Sequence, residues 1–292
     1  MFTATLLANP TRADLTQRLA ENLAARWQAS GLDWLNPGIA VDLRLAEPPE
    51  DQWRVWEELQ AQGIDLVVQP SQGRRKAMLM ADMDSTMIEQ ECVDELADFA
   101  GVGPRVAEIT ARAMNGELAF DEALTERVGL LAGLPESVIQ EVLDTRITLA
   151  PGAQTLMATM KANGAWCVLV SGGFTAFTDK VAEVLGFDQT RGNILMIDDG
   201  VLTGHVSLPI LGREAKVDAL REITEERGLS RLDVIAVGDG ANDLGMLHLA
   251  GTGVALHAKP VVAAQTDVRI NHGDLTSLLY LQGYGYEEFR NA

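Results

Sequence analysis

The chain has 292 residues, 47% hydrophobic and 22% charged, enough for two domains or one large one around a sizeable core. Against 23 Lys+Arg stand 42 Asp+Glu, a formal charge of −19, so nucleic acid and anionic membranes are excluded as expected partners while a local basic pocket for a small anion stays open. Two distant cysteines, Cys92 and Cys167, the absence of a leader pattern in "MFTATLLANPTRAD" and the lack of any span-length apolar run point to a soluble protein in a reducing cytoplasm.

Residues 1–74 read as strand (2–7), helix (12–28), strand (39–45), helix (51–62) and strand (65–69). They predict a small α+β domain with no polar cluster that suggests chemistry, and "GRRKA" (73–77) reads as a linker. From residue 75 onward the pattern changes to short β-rich runs, each followed by a helical stretch: "AMLMADMD", "WCVLVSGG" (166–173), "DVIAVGDG" (233–240) and "TGVALH" (252–257), with "VRIN" (268–271) as a fifth. Such runs predict an α/β fold, a doubly wound parallel sheet covered on both faces. Between the first two strands, residues 88–149 are rich in helix formers and predict a helical cap. Residues 191–206, with Asp199-Gly200 between two β-prone runs, read as a hairpin.

Three of the runs finish in small or acidic residues: Asp82 and Asp84; Ser171, Gly172 and Gly173; and Gly238-Asp239-Gly240 followed by Asn242 and Asp243. Ligands of open α/β sheets bind beyond the carboxyl ends of the strands, so these residues are expected on one edge. Carboxylates that close resist joint ionisation unless a cation is present, and a hard divalent ion such as Mg2+ satisfies them while leaving places for water and phosphate oxygens. Lys216 adds a second positive charge, and Ser171 with the Gly172 and Gly173 amides offers neutral donors to an anion. The combination suits phosphoryl transfer, where positioning and charge neutralisation do most of the work.

"DMDST", "SGG", Lys216 and "GDGAND" resemble, in order and placement, the four motifs of the haloacid dehalogenase-like (HAD) phosphohydrolases. The likeness runs from about Met78 to the region of Asp274. It narrows to the phosphoserine phosphatases through Glu91 after the first motif, "RAMNGELAF" and "ERV" in the cap, and "SGGF". Residues 1–74 are loosely similar to ACT-like regulatory domains. The resemblance implies Mg2+-dependent release of serine from O-phosphoserine, the last step of serine biosynthesis, through an aspartyl-phosphate on Asp82. Asp84 would be the acid and base. Asp82, Asp239 and the Asp84 carbonyl would hold Mg2+, and Asp243 would support the metal through water or orient Lys216. Ser171, Gly172 and Lys216 would bind the phosphoryl group, with Asn242 contacting it or the entering water. Glu91 would pair with the substrate ammonium and Arg127 with its carboxylate. Met114 and Phe120 would line the apolar side.

The blander readings make Ser171 a helix N-cap, Lys216 a surface lysine and Arg127 the partner of Glu126 or Asp121. His205, His248, His257 and His272 show no ligand spacing. Two further readings stand beside phosphoserine hydrolysis: a HAD-type phosphatase or phosphotransferase for another small phosphomonoester, and a sensor whose first domain binds an amino acid. Residues 1–74 are expected to serve regulation or formation of a homodimer.

Overall fold

The computed structural model describes residues 1–114 and 117–291, the side chain of Met114 excepted. The N-terminal part runs β1 (Phe2–Ala8), α1 (Gln17–Arg26), β2 (Gly31–Asn36), β3 (Ala40–Leu45), α2 (Gln52–Gln60) and β4 (Ile64–Pro70). Its strands form an antiparallel sheet in the order β2-β3-β1-β4, the split βαβ arrangement. Side chains alternate with period two. Ala4, Leu6, Val41, Leu43 and Leu66 pack under the two helices, and Leu7, Ala40 and Val67 from the opposite face join the core of the larger part.

Two elements here depart from the sequence reading. Strand β2 was not expected, because its Gly31, Asp33 and Asn36 are poor strand formers; pairing with β3, broken by one irregularity at Trp34–Asn36, overrides that local preference. Helix α1 starts at Gln17 rather than residue 12, since the Asn9 side chain accepts from the Thr11 N–H and holds a turn, and Thr16 then caps the helix at Leu19 N.

After β5 (Met78–Ala81) the chain enters the excursion α3 (Cys92–Phe99), α4 (Gly103–Met114), α5 (Phe120–Gly129) and α6 (Ser137–Thr145), closed at its neck by an antiparallel bridge from Ile88 to Leu149. It continues through α7 (Ala153–Ala162), β6 (Trp166–Phe174), α8 (Thr175–Leu185), β7 (Gln189–Asn193), the hairpin β8 (Leu195–Asp198) and β9 (Val201–Val206), and α9 (Arg213–Glu226). Then follow β10 (Val234–Gly238), α10 (Leu244–Leu249), β11 (Thr252–Leu256), α11 (Pro260–Ala263), β12 (Val268–Ile270) and α12 (Ser277–Leu281). The main sheet is parallel, ordered β12-β11-β10-β5-β6-β7. Leu79, Ala81, Leu169, Ile235 and Val237 face α7 and α8, while Met78, Met80, Val168 and Ala236 face α9 and α10. Both faces are therefore apolar, which is why the strands read as continuous hydrophobic runs.

The hairpin expectation for residues 191–206 is corrected in part. Residues Gln189–Asn193 join the sheet beside β6, and the hairpin itself begins at Leu195, turning on Asp199 and Gly200, both at positive φ. Helix α12 was not anticipated either. No helix among the described residues is long and apolar enough to cross a membrane.

The two sheets are joined by buried polar anchors. Asp65, fully buried on β4, accepts the backbone N–H groups of Asn271, His272 and Gly273 at 3.0, 2.9 and 2.9 Å. Arg74, in the connecting segment, pairs with Asp42 at 2.6 Å and donates to the carbonyls of Leu281 and Tyr280 at 2.8 and 2.9 Å. Removing the Asp65 carboxylate would leave three donors without a partner. Asp65→Ala is expected to cost about 2–4 kcal/mol of stability, read as an earlier urea unfolding transition; an unchanged midpoint would show that the donors find water instead.

Candidate active site

Chain reversal at β5 creates the crevice. From β5 the chain proceeds outward through β6 and β7, then returns to the other side of β5 for β10, β11 and β12. Ala81 stands level with both Leu169 and Val237, so Asp82, Ser171 and Asp239 lie one or two residues past the last paired positions of three adjacent strands. The Asp82 N–H donates to Val237 O at 3.0 Å, extending β5 by one bond before the chain turns away.

Asp82, Asp239 and Asp243 are buried, with one oxygen from each lying within 4.8 Å of the others. Lys216, on the helix packed against the Met78–Met80 side of the sheet, is wholly buried and bridges Asp82 at 2.7 Å and Asp243 at 2.6 Å. Asp243 also accepts the Gly240 N–H at 3.0 Å, which folds the loop after β10 onto itself. The lysine expected to bring a second positive charge is thus the centre of an ion cluster, and the blander reading of a surface lysine does not hold. Burial alone would discharge it, yet Asp243 and Asp82 raise its proton affinity above that of a free lysine.

The carboxylates respond to the same crowding. Burial raises Asp82 well above the usual carboxylate range, Asp243 adds to the rise, and Lys216 opposes it. Asp239 is pushed up to about 6, chiefly by burial, with Lys259 opposing and Asp243 reinforcing. Three buried carboxylates facing two ammonium groups are an oxygen-rich donor set with unneutralised charge, and it fits a hard divalent cation. Asp84 lies apart from this trio. Its Oδ1 accepts weakly from Cys92 N at 3.4 Å, and burial followed by repulsion from Glu91 raises it to about 7.

Ser171 is buried, and its Oγ accepts the Gly173 N–H at 2.8 Å, so it does not cap α8, which starts after Phe174. The two glycines are required by close approach. A Cβ at Gly172 would stand 2.8 Å from Phe120 Cζ, and one at Gly173 would stand 2.9 Å from Asp84 Oδ2. Phe120, the first residue of α5, therefore seats the cap directly on the tip of β6. The same Cβ position at Gly172 lies 3.9 Å from Asn242 Nδ2, placing Asn242 across from that tip.

Glu91 is the N-terminal boundary residue of α3 and accepts from Ser85 Oγ at 2.8 Å. Arg127 donates to Ala123 O at 3.2 Å; Glu126 pairs with Arg112, at 3.1 Å, in place of Arg127. Burial weakens the Arg127 charge, and the carboxylates of Asp94, Glu91 and Asp84 sustain it. Arg127 and Glu91 thus lie close enough for their charges to act on each other and on Asp84. Met114 was assigned to the apolar lining, and its side chain lies outside the described residues. His248 and His257 bond the carbonyls of Gln265 and Gly273, each at 2.8 Å. Sequence reasoning missed Lys259, 3.6 Å from Asp239; the only signal was a lysine just past a strand end in "HAKP".

A sequence model of the haloacid dehalogenase-like hydrolase family matches residues 79–248. A phosphoserine phosphatase of Archaeoglobus fulgidus is 43% identical over 82% of this chain and 70% of its own length. The crystal structure of a HAD family hydrolase from Salmonella enterica serovar Typhi superposes with a TM-score of 0.85 at 33% identity, over 96% of this chain and 98% of that one. A substrate-bound phosphoserine phosphatase complex superposes with a TM-score of 0.67 at 38% identity, over 70% of this chain and 98% of that one.

The raised Asp84 makes metal-free stability depend on pH. Between about pH 4 and 7 the folded chain retains a proton that an unfolded aspartate, at 3.8, has released, so stability falls as pH rises through that window. Asp84→Asn cannot ionise. In chelator at pH 8 it should melt roughly 3–6 °C above the unsubstituted chain, with the gap closing near pH 4. An equal gap at both pH values would mean that Asp84 does not carry this titration.

Proposed function

The chain belongs to the haloacid dehalogenase-like hydrolases, and from that membership we propose that it acts as a phosphoserine phosphatase, converting O-phosphoserine and water to serine and phosphate. The observation that carries the reading is the division of labour between two aspartates two residues apart, Asp82 buried and Asp84 half-buried. Both are raised by burial. Asp82, however, sits in the ion cluster, 2.7 Å from a Lys216 ammonium that opposes the rise and beside carboxylates with which it would share a divalent cation that favours its ionised form. Asp84 stands outside the trio, is repelled by Glu91 and keeps its proton up to about 7. One is suited to attack and the other to give up a proton at neutral pH.

The phosphate of the substrate lies at the tip of β6, where the Ser171 hydroxyl and the amides beside Gly172 supply neutral donors and Lys216 supplies charge. Asp82 attacks phosphorus, forming the aspartyl-phosphate, and Asp84 gives its proton to the departing serine oxygen. Asp84 is then a base. It takes a proton from the water that attacks the acyl phosphate, and phosphate and the Asp82 carboxylate are regenerated. Asp82 and Asp239, with the Asp84 carbonyl, would hold Mg2+, and the ion would supply the charge neutralisation that lets an anion approach a phosphate. Asp243 fixes the Lys216 ammonium, and Asn242 reaches towards the phosphoryl group from the β10 side.

Selectivity comes from the cap. Glu91 pairs with the substrate ammonium, Arg127 offers its planar fork to the carboxylate, and Phe120 closes the apolar wall. The reading is supported by the mutual influence of the Glu91, Arg127 and Asp84 charges and by the likeness to proteins described as phosphoserine phosphatases.

Phosphate release from a panel of phosphomonoesters, with Mg2+ and with chelator, tests the assignment. O-phosphoserine should be preferred and chelator should abolish turnover. Asp82→Asn should lower kcat by roughly 10³-fold or more. Equal turnover of simple alkyl phosphates would reject the substrate, and an active Asp82→Asn would reject the nucleophile. Arg127→Ala should raise KM for phosphoserine roughly tenfold or more, with a smaller effect on substrates that lack the carboxylate.

A further inference from the structure

The metal-free cluster contains two lysines, and they are built differently. Lys216 is fully buried and makes two contacts of 2.6–2.7 Å, so it cannot leave. Lys259 lies 3.6 Å from Asp239 Oδ2, beyond hydrogen-bond reach, with 45% of its side chain exposed. Its ammonium is a charge beside Asp239 with an open route to solvent.

The backbone beneath it is nevertheless fixed. The Lys259 N–H donates to the Asp239 carbonyl at 3.1 Å, tying the ends of β10 and β11 together. Two residues earlier His257 has φ of 45°, a left-handed conformation unusual for histidine. Its N–H bonds Ile270 O, and its ring nitrogen Nε2 bonds Gly273 O at 2.8 Å. The Gly273 N–H in turn belongs to the triad of donors held by Asp65 of the N-terminal sheet. A lysine on a free loop would need none of this; here the backbone is anchored and the ammonium is open to solvent.

Asp239 is the one carboxylate of the trio that Lys216 does not touch. We propose that Lys259 is its displaceable counter-charge: the ammonium neutralises Asp239 while no cation is bound and withdraws into solvent when a divalent cation takes that carboxylate. Lys259 acts on the cation through Asp239 and is a positioning residue. It also offsets the repulsion between Asp239 and Glu91, since the charge of each acts on the Lys259 ammonium and Glu91 acts on Asp239. The consequence is a competition, in which Lys259 weakens cation binding and stabilises the metal-free fold. This rests on the reading of Asp239 as a metal ligand.

Titration of the full chain with Mg2+ alone, followed by calorimetry without substrate, tests it. Lys259→Met and Lys259→Gln should bind Mg2+ roughly three- to tenfold more tightly than the unsubstituted chain. Lys259→Arg should bind as the unsubstituted chain does. In chelator the two neutral variants should melt earlier, and saturating Mg2+ should remove the difference. Equal or weaker Mg2+ affinity in both neutral variants would overturn the inference while leaving the metal assignment intact. An unsubstituted chain that takes up no Mg2+ would overturn both.

Discussion

The buried contact between Lys216 and the carboxylates of Asp82 and Asp243 is the constraint on which the active end of the sheet depends. Like charges brought within a few ångströms in a dry environment resist ionisation, and a strand tip carrying them would otherwise be pushed apart or protonated. One ammonium placed between two of them lets three strand ends meet. The pair is not a general source of stability, because desolvating three charges opposes what their attraction supplies. Its effect is specific: it fixes where the Asp82 carboxylate and the Lys216 ammonium stand relative to each other at the strand tips.

The cap and the N-terminal sheet act on this end from opposite directions. The cap sets its first contact through Phe120 against Gly172, a position where any side chain would hold the two apart. The hairpin after β7 supports the cap from the side, with Gly133 and Glu136 donating to Leu202 and Gly200, and Leu202 donating back to Leu134. From the other direction Asp65 holds residues 271–273, which hold His257, which precedes the lysine at Asp239. Residues of the N-terminal sheet are thus linked by hydrogen bonds to the acidic edge of the main sheet.

That linkage also explains an oddity of the N-terminal strands. A four-stranded antiparallel sheet with helices on one face commonly leaves the other wet, and Asp42, Asp65 and Arg44 along the second face suggest as much in the sequence. Here Leu7, Ala40 and Val67 on that face meet the larger core, and two of the charged groups are satisfied across the joint by Arg74 and by backbone donors. Arg44 alone remains near solvent, paired with Asp33.

The parallel sheet, the cap between its first two strands and the four acidic, glycine-rich or basic motifs were legible from local pattern. Apolar runs covered on both faces, helix-forming stretches and strand ends rich in aspartate each follow from chemistry within a few residues. Strand β2 and helix α12 were not legible, because each is stabilised by partners far along the chain rather than by its own preferences. The roles of individual charges were hidden for the same reason. Lys216 was expected at the site through a family resemblance and Lys259 was not expected there; one is buried between two carboxylates and the other stands half in water, and only the packing of α9 and the joining of β10 to β11 set those surroundings. Residue type and spacing determine which groups are available, whereas distance and desolvation, which set their charge and mobility, exist only once the chain has folded.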